Sequence, residues 1–321
     1  MKLGVLTVPL YNMTYEGAFE YLSSLGVRAV EIGVGGSPGN NHLNPAEFLD
    51  SPSAISGYKA LLNKHNIEIS AFSVHGNPVH PNKSIAEKDH GEFVNACKLA
   101  QQFGVDRIVT FSGCPGDFPG AKYPNWVTCA WPTDFQEILK YQWDEVLIPY
   151  WKEAVKIANS FGIYKVALEM HPGFCCYNPR TLLRLREAVG ETIGANFDPS
   201  HLFWQGIDPS DALKALKGAV YHFHAKDTRL VSSNIHVNGV LETSSFDDFL
   251  NRGWLFRTVG YGHEMAEWKE IISTLRVIGY DGSISIEHED GLMSVKEGLE
   301  KAVEFLKQVI MFEAPAQMWW A

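Results

Sequence analysis

Four short stretches of this 321-residue chain carry the side chains best suited to chemistry. VALEMHP places Glu169 at the end of an apolar run. ANFDPSH places Asp198, with His201 three residues on. YHFHAKD places His222 and His224 two apart, so on a strand they share a face. SISIEHED places Glu287 and Glu289 two apart in the same way. The set Glu169, Asp198, His224 and Glu287 is carboxylate, carboxylate, imidazole, carboxylate. Such oxygen-rich donors suit Mn²⁺, Co²⁺, Mg²⁺ or, less well, Zn²⁺. Three carboxylates gathered without a cation repel strongly in a low dielectric, so one divalent ion is the expected cofactor. Each residue also has a plainer reading. Asp198 precedes Pro199 as helix caps do, His224 alone reads equally as a satisfied buried histidine, and Lys226-Asp227 reads as a local ion pair. Four such residues in a row outweigh the separate plainer readings.

The elements that must deliver these residues follow from alternation. Apolar, β-branched runs at about 3–8, 28–33, 67–73, 106–112, 164–170, 193–198, 219–225 and 282–288 alternate with helical patterns. Those patterns fall near 14–25, 54–65, 84–103, 136–161, 179–189, 209–217, 265–278 and 293–311. Eight strand–helix pairs predict a single (β/α)8 TIM barrel over residues 1–321, with 312–321 a C-terminal tail. In such a barrel strand C-termini converge on one rim, where Glu169, Asp198, His224 and Glu287 all fall. Asn178-Pro179 and Asp208-Pro209 read as helix starts, and Gly26, Gly104, Gly162 and Gly279 as C-terminal caps. The βα connections after strands 4 and 7, near 113–135 and 228–262, are long, as functional loops are. Trp126, Trp131 and Arg257 on them are expected over the open end of the barrel.

Composition narrows the function classes. The net charge of −10 disfavours a nucleic-acid partner, whose phosphates are held by Lys and Arg. No apolar stretch approaches the roughly 20 residues of a membrane span. Five cysteines, an odd number with no CxxC pair, argue against a disulfide scaffold and for a cytoplasmic setting. Trp319-Trp320 in the tail offers an apolar contact for a homo-oligomer.

The run ALEMHP, NFDPSH, HFHAKD and SIEHED resembles the xylose-isomerase-like barrel superfamily, which includes ketose 3-epimerases, inosose isomerases and dehydratases, and endonuclease IV. The resemblance covers nearly the whole chain. It implies one Mn²⁺, or Co²⁺, on Glu169, Asp198, His224 and Glu287, with Glu169 and Glu287 also acting as acid and base. It implies a small-molecule carbohydrate substrate, and an isomerase or epimerase reaction through proton abstraction and a metal-stabilised enediolate. His201 matches a substrate-binding histidine, and Arg257 loosely matches a substrate-binding arginine. His75 and Trp204 are further substrate-binding candidates, the latter by stacking on a sugar ring. Glu31 and His80 rank lower, and His42 and His171 are left unassigned.

Three other functions compete. A lyase, deglycosidase or dehydratase acting on a 3-oxo-glycoside or inosose starts from the same enolate and ends in elimination. An AP-endonuclease-type phosphodiesterase resembles the chain less, because Gly113 and Cys114 stand where a histidine is wanted and Asn234-Ile235-His236 lacks the aspartate. A non-catalytic sugar-binding barrel would show no turnover with metal present.

Overall fold

The computed structural model describes residues 1–320. Eight parallel strands close a barrel: β1 (Lys2–Leu6), β2 (Ala29–Gly33), β3 (Glu68–Ser73), β4 (Arg107–Phe111), β5 (Lys165–Glu169), β6 (Ile193–Phe197), β7 (Val220–Ala225) and β10 (Ser283–Ile286). Two further strands, β8 (Asp227–Leu230) and β9 (Trp254–Arg257), form a separate antiparallel ribbon. The strand order is β1-β10-β7-β6-β5-β4-β3-β2, so the eighth strand of the sequence reading is β10.

Helices between strands bury their apolar faces on the outside of the sheet. Phe93, Trp151, Leu182, Trp268 and Leu299, one from each of five such helices, are all at most 2% exposed. The helix starts were readable because their caps are local. Asn178 accepts from Thr181 N in a capping box, Asp208 accepts from Asp211 N, and Pro follows each. Gly104 ends its helix at φ 74°, a conformation that costs residues with a Cβ.

The barrel interior is lined differently. Ala71, Val109 and Ala167 form a small apolar cluster within it. Above them, buried Glu31, Ser73, Asn196, His222, His224 and Ser285 replace the branched apolar side chains usual in such barrels. Two irregularities aim these residues. The β2–β3 register slips between Val30 and Glu31, and the β6–β7 register slips between Ala195 and Asn196. The second leaves Tyr221 unpaired on β7, just before His222. An extra residue of this kind re-aims the side chains that follow.

Two βα connections are long. The one after β4 runs to a helix starting at Asp134, and the one after β7 reaches a helix starting at Met265. The second holds structure that the sequence reading treats as loop: the β8–β9 ribbon and a helix at Ser232–Asn238. Short helices at Pro45–Phe48 and Pro199–Phe203 are also additional. The pattern expected over 136–161 is a composite of Asp134–Lys140, a π-helical turn at Tyr141–Leu147, and Ile148–Ser160. No helix among the described residues is long and apolar enough to cross a membrane.

Candidate metal centre

Glu169 ends β5, Asp198 follows β6, His224 lies near the end of β7 and Glu287 follows β10. The four offer ligand atoms that all lie within 4.8 Å of one another. His224 Nδ1 is 3.1 Å from Glu287 Oε2 and 3.4 Å from Glu169 Oε2. Asp198 and His224 are fully buried, Glu169 is 2% exposed, and Glu287 retains 14% side-chain exposure as the window to solvent.

Each ligand candidate is held by a neighbour. Asp198 caps the helix Pro199–Phe203 through Oδ1, which accepts from Ser200 N at 2.8 Å. Its other oxygen, Oδ2, is buried without a hydrogen bond. His201 Nε2 and Lys226 Nζ stand 3.2 and 3.1 Å away from it, close enough for attraction but without hydrogen-bond alignment. Glu169 accepts from His75 Nε2 at 3.0 Å, His201 Nε2 at 3.0 Å and Asn196 Nδ2 at 3.1 Å. His224 turns its other nitrogen, Nε2, to Glu31.

The donor set fits a divalent cation. Asp198 Oδ2, buried and without an aligned hydrogen bond, belongs to a cluster with two more carboxylates and an imidazole, where an ion would offset the repulsion. The carboxylates and histidines also shift one another's protonation. Burial works against the charge of Glu169, yet hydrogen bonds from His201, His224 and His75 hold its carboxyl well below the usual range. Burial likewise opposes His224, but Glu31 and Glu287 raise it well above an ordinary histidine. His201 rises to about 9 against its burial, through Asp198 first.

Lys226 is not the partner of Asp227. Its buried ammonium lies 2.7 Å from Glu287 Oε2, 3.0 Å from Glu289 Oε2 and 3.1 Å from Asp198 Oδ2. It also sits 4.7 Å over the Phe256 ring. Asp227 faces the other way and accepts from the backbone N–H groups of Gly260, Gly262 and His263 and from Trp268 Nε1.

The remaining candidates are distributed as follows. His75 and His201 flank Glu169. Arg257 donates from Nε to Asp290 Oδ2 at 3.0 Å, which leaves its terminal nitrogens free of protein hydrogen bonds among the described residues. Trp204 is 6% exposed and stacks on Trp254 at 4.7 Å, one layer behind Phe256. Trp126 packs edge-on against Tyr177, and Trp131 is 75% exposed. His80 accepts from Asn82 N, His42 holds the carbonyls of Leu10 and Met13, and His236 is exposed on its helix. The structure adds residues that the sequence reading left aside. His171 packs on His201 at 4.1 Å, and burial drives it down to about 3. Phe111 and Phe174 stack at 4.1 Å beside His75 and His171. Phe256 meets His201 edge-on from the ribbon. His222 had a readable signal in its parity with His224, whereas Asn196 and Phe256 depend on a register slip and on an unforeseen ribbon.

Residues 19–309 match the family described as Xylose isomerase-like TIM barrel. A protein of Bacillus subtilis (strain 168), described as uncharacterized protein YfiH, is 40% identical over 97% of this chain and 99% of its own length. Among solved structures, the probable 3-DHS dehydratase AsbF from Bacillus anthracis superposes with a TM-score of 0.66 at 18% identity. That match covers 96% of this chain and 99% of the other. D-psicose 3-epimerase with D-tagatose, from Clostridium cellulolyticum H10, superposes with a TM-score of 0.60 at 16% identity, covering 96% and 98%. At these identities the structural likeness speaks to fold.

Proposed function

This chain belongs to the xylose isomerase-like TIM barrel family, and from that premise we propose that it is a divalent-metal-dependent isomerase or epimerase of a ketose, inosose or keto-sugar. The reaction begins with removal of a proton from the carbon beside a carbonyl. One observation carries the reading: Glu169 and Glu287 both approach His224 Nδ1 within 3.4 Å, in the same cluster as Asp198, whose Oδ2 has no hydrogen bond. Glu169, Asp198, His224 Nδ1 and Glu287 would hold the ion, with Mn²⁺ preferred. Such an ion would act as a Lewis acid on the carbonyl and its neighbouring hydroxyl and would make the α proton easier to remove.

The chain's own part is to move that proton. Glu169 accepts from two histidines and an amide. Glu287 faces an imidazole and an ammonium. Unequal partners give two carboxylates unequal basicity, the condition for one to take a proton while the other gives one. His201, held at about 9 chiefly by Asp198 against the pull of burial, keeps a proton beside Glu169. Lys226 keeps one beside Glu287. In this reading Arg257, His75 and His201 bind substrate oxygens, and Trp204 supports the aromatic wall through its stack on Trp254. Lys226 and Arg257 are already paired with carboxylates, which favours an uncharged keto-sugar over a phosphorylated one. A structural neighbour named as an epimerase and another named as a probable dehydratase are consistent with either fate of the same enolate.

Lys226 favours a second reading, a lyase or dehydratase. In that reading its ammonium, 2.7 Å from Glu287 Oε2, would protonate a group leaving from the β carbon. Both readings are tested together in deuterated water. Keto-sugars should take up deuterium at the α carbon only when Mn²⁺ is present. Glu287→Gln should abolish uptake while substrate binding persists. Loss of water or an aglycone in the product selects elimination. Turnover with no solvent exchange, and with no primary isotope effect on substrate deuterated at that carbon, would overturn proton abstraction altogether.

A further inference from the structure

We propose that Glu31 is a positioning residue for the candidate metal centre, holding the proton on His224 Nε2 so that Nδ1 is the nitrogen left to an ion bound with Glu169, Asp198 and Glu287. The inference rests on the reading of Glu169, Asp198, His224 and Glu287 as a metal centre. Glu31 lies on β2, fully buried, and reaches His222 and His224 on β7 inside the barrel. His224 Nε2 is 3.0 Å from its Oε1 and 2.8 Å from its Oε2. His222 Nε2 is 2.8 Å from Oε2. Ser285 Oγ donates to Oε2 at 2.9 Å, and Ser73 Oγ donates to Oε1.

The contacts to Glu31 fix the protons on the two Nε2 atoms. An ionised carboxylate only accepts, so each Nε2 that bonds to Glu31 must carry hydrogen. Without an ion Nδ1 also carries hydrogen, because it lies 3.1 Å from Glu287 Oε2; an ion that displaces that proton meets the Nε2–H form, whose lone pair is at Nδ1, the nitrogen facing the other three ligand candidates. A carboxylate on the far nitrogen of a ligating histidine also raises its basicity and locks its ring. Glu31 is itself locked, because four donors from β3, β7 and β10 share its two oxygens.

Glu31, His222 and His224 also lie close enough to hold an ion of their own. Their contacts argue against that use. Both Nε2 atoms spend their hydrogens on the carboxylate, so an ion there would have to displace both protons and break every histidine bond to Glu31. The trio therefore supports the neighbouring centre.

The test measures ion affinity rather than turnover. Wild type, Glu31→Gln, Glu31→Leu and His224→Ala are each titrated with Mn²⁺ against a chromophoric chelator, with circular dichroism and thermal melting as checks of folding. Glutamine keeps one acceptor oxygen, but it removes the negative charge and turns an NH₂ donor toward the donors that shared the other oxygen, His224 Nε2 and Ser73 Oγ, so it holds the histidine N–H groups more weakly. Glu31→Gln should therefore weaken binding about 10- to 100-fold, and His224→Ala should weaken it further. A second measurement needs no variant. Long-range ¹H–¹⁵N correlation on Zn²⁺-loaded wild type should show His224 protonated at Nε2. Wild-type affinity in a folded Glu31→Gln protein, or a His224 proton at Nδ1, would overturn the role of Glu31. If the glutamine variant does not fold, the tautomer decides. If wild type binds no ion, the metal centre itself fails, an outcome distinct from failure of Glu31 alone.

Discussion

Asp198 divides its two oxygens between two tasks. One caps a five-residue helix, as its position before Pro199 predicts, and the other is left without a hydrogen bond in the cluster. The plain reading and the chemical reading of this residue are compatible. Lys226 is different. Its adjacency to Asp227 in sequence reads as a pair, but successive side chains on extended chain point to opposite faces. Lys226 accordingly enters the carboxylate cluster while Asp227 turns away. Lys226→Met should bind Mn²⁺ at least as tightly as wild type, because a competing cation is gone, yet lose about 10²-fold in kcat if its proton is used. Chelator competition and steady-state kinetics check the two halves. Weakened ion binding in this variant would contradict the assignment. A pH prediction follows from His224. Its folded-state pKa lies well above that of an ordinary histidine, because Glu31 and Glu287 outweigh its burial. At neutral pH the ion must therefore displace a proton. Affinity should fall as pH is lowered, and loading should release protons. Calorimetry in buffers of different ionisation enthalpy reads that release, and an affinity independent of pH between about 6 and 9 would contradict it.

At the scale of elements, the site depends on features of two kinds. The strand tips bearing Glu169, Asp198, His224 and Glu287 were readable, since β-branched runs and cap residues are local signals. The β8–β9 ribbon was not. Its strands, Asp227–Leu230 and Trp254–Arg257, are short and separated by a long excursion, and no alternation marks them. What holds the ribbon's end is tertiary: Asp227 receives Gly260, Gly262 and His263 N–H groups and the Trp268 indole. The register slips at Glu31 and Asn196 were equally silent, because an unpaired residue such as Tyr221 has no distinctive composition. Phe256 and Asn196 therefore entered the site only with the structure. Asp227→Ala should leave several buried donors unsatisfied, at about 1–3 kcal/mol each before relaxation. It should lower the melting temperature and speed hydrogen exchange over residues 254–263. Unchanged exchange there would show that the ribbon is held by something else.

At the scale of the whole molecule, two regions divide the work. Between sheet and helices lies an apolar layer containing Trp151, Trp268 and Phe72. Inside the barrel, a polar column runs from Glu31 through His224 to Glu287 at the solvent window. Burying so many ionisable groups is costly unless they are paired, and their mutual pairing in the column offsets that cost. An ion binding only the folded chain should stabilise it, by about 2.7 kcal/mol at one hundred times its dissociation constant. Thermal melting with and without Mn²⁺ checks this, and an unchanged melting temperature at saturation would contradict it. The central claim is that these strand tips form one divalent-metal centre. An anomalous difference map from a Mn²⁺-soaked crystal, collected at the manganese edge, tests it most directly. One peak per chain is expected, touching Glu169, Asp198, His224 Nδ1 and Glu287, and it should disappear in His224→Ala. A fully occupied peak elsewhere, with none among these four residues, would contradict it.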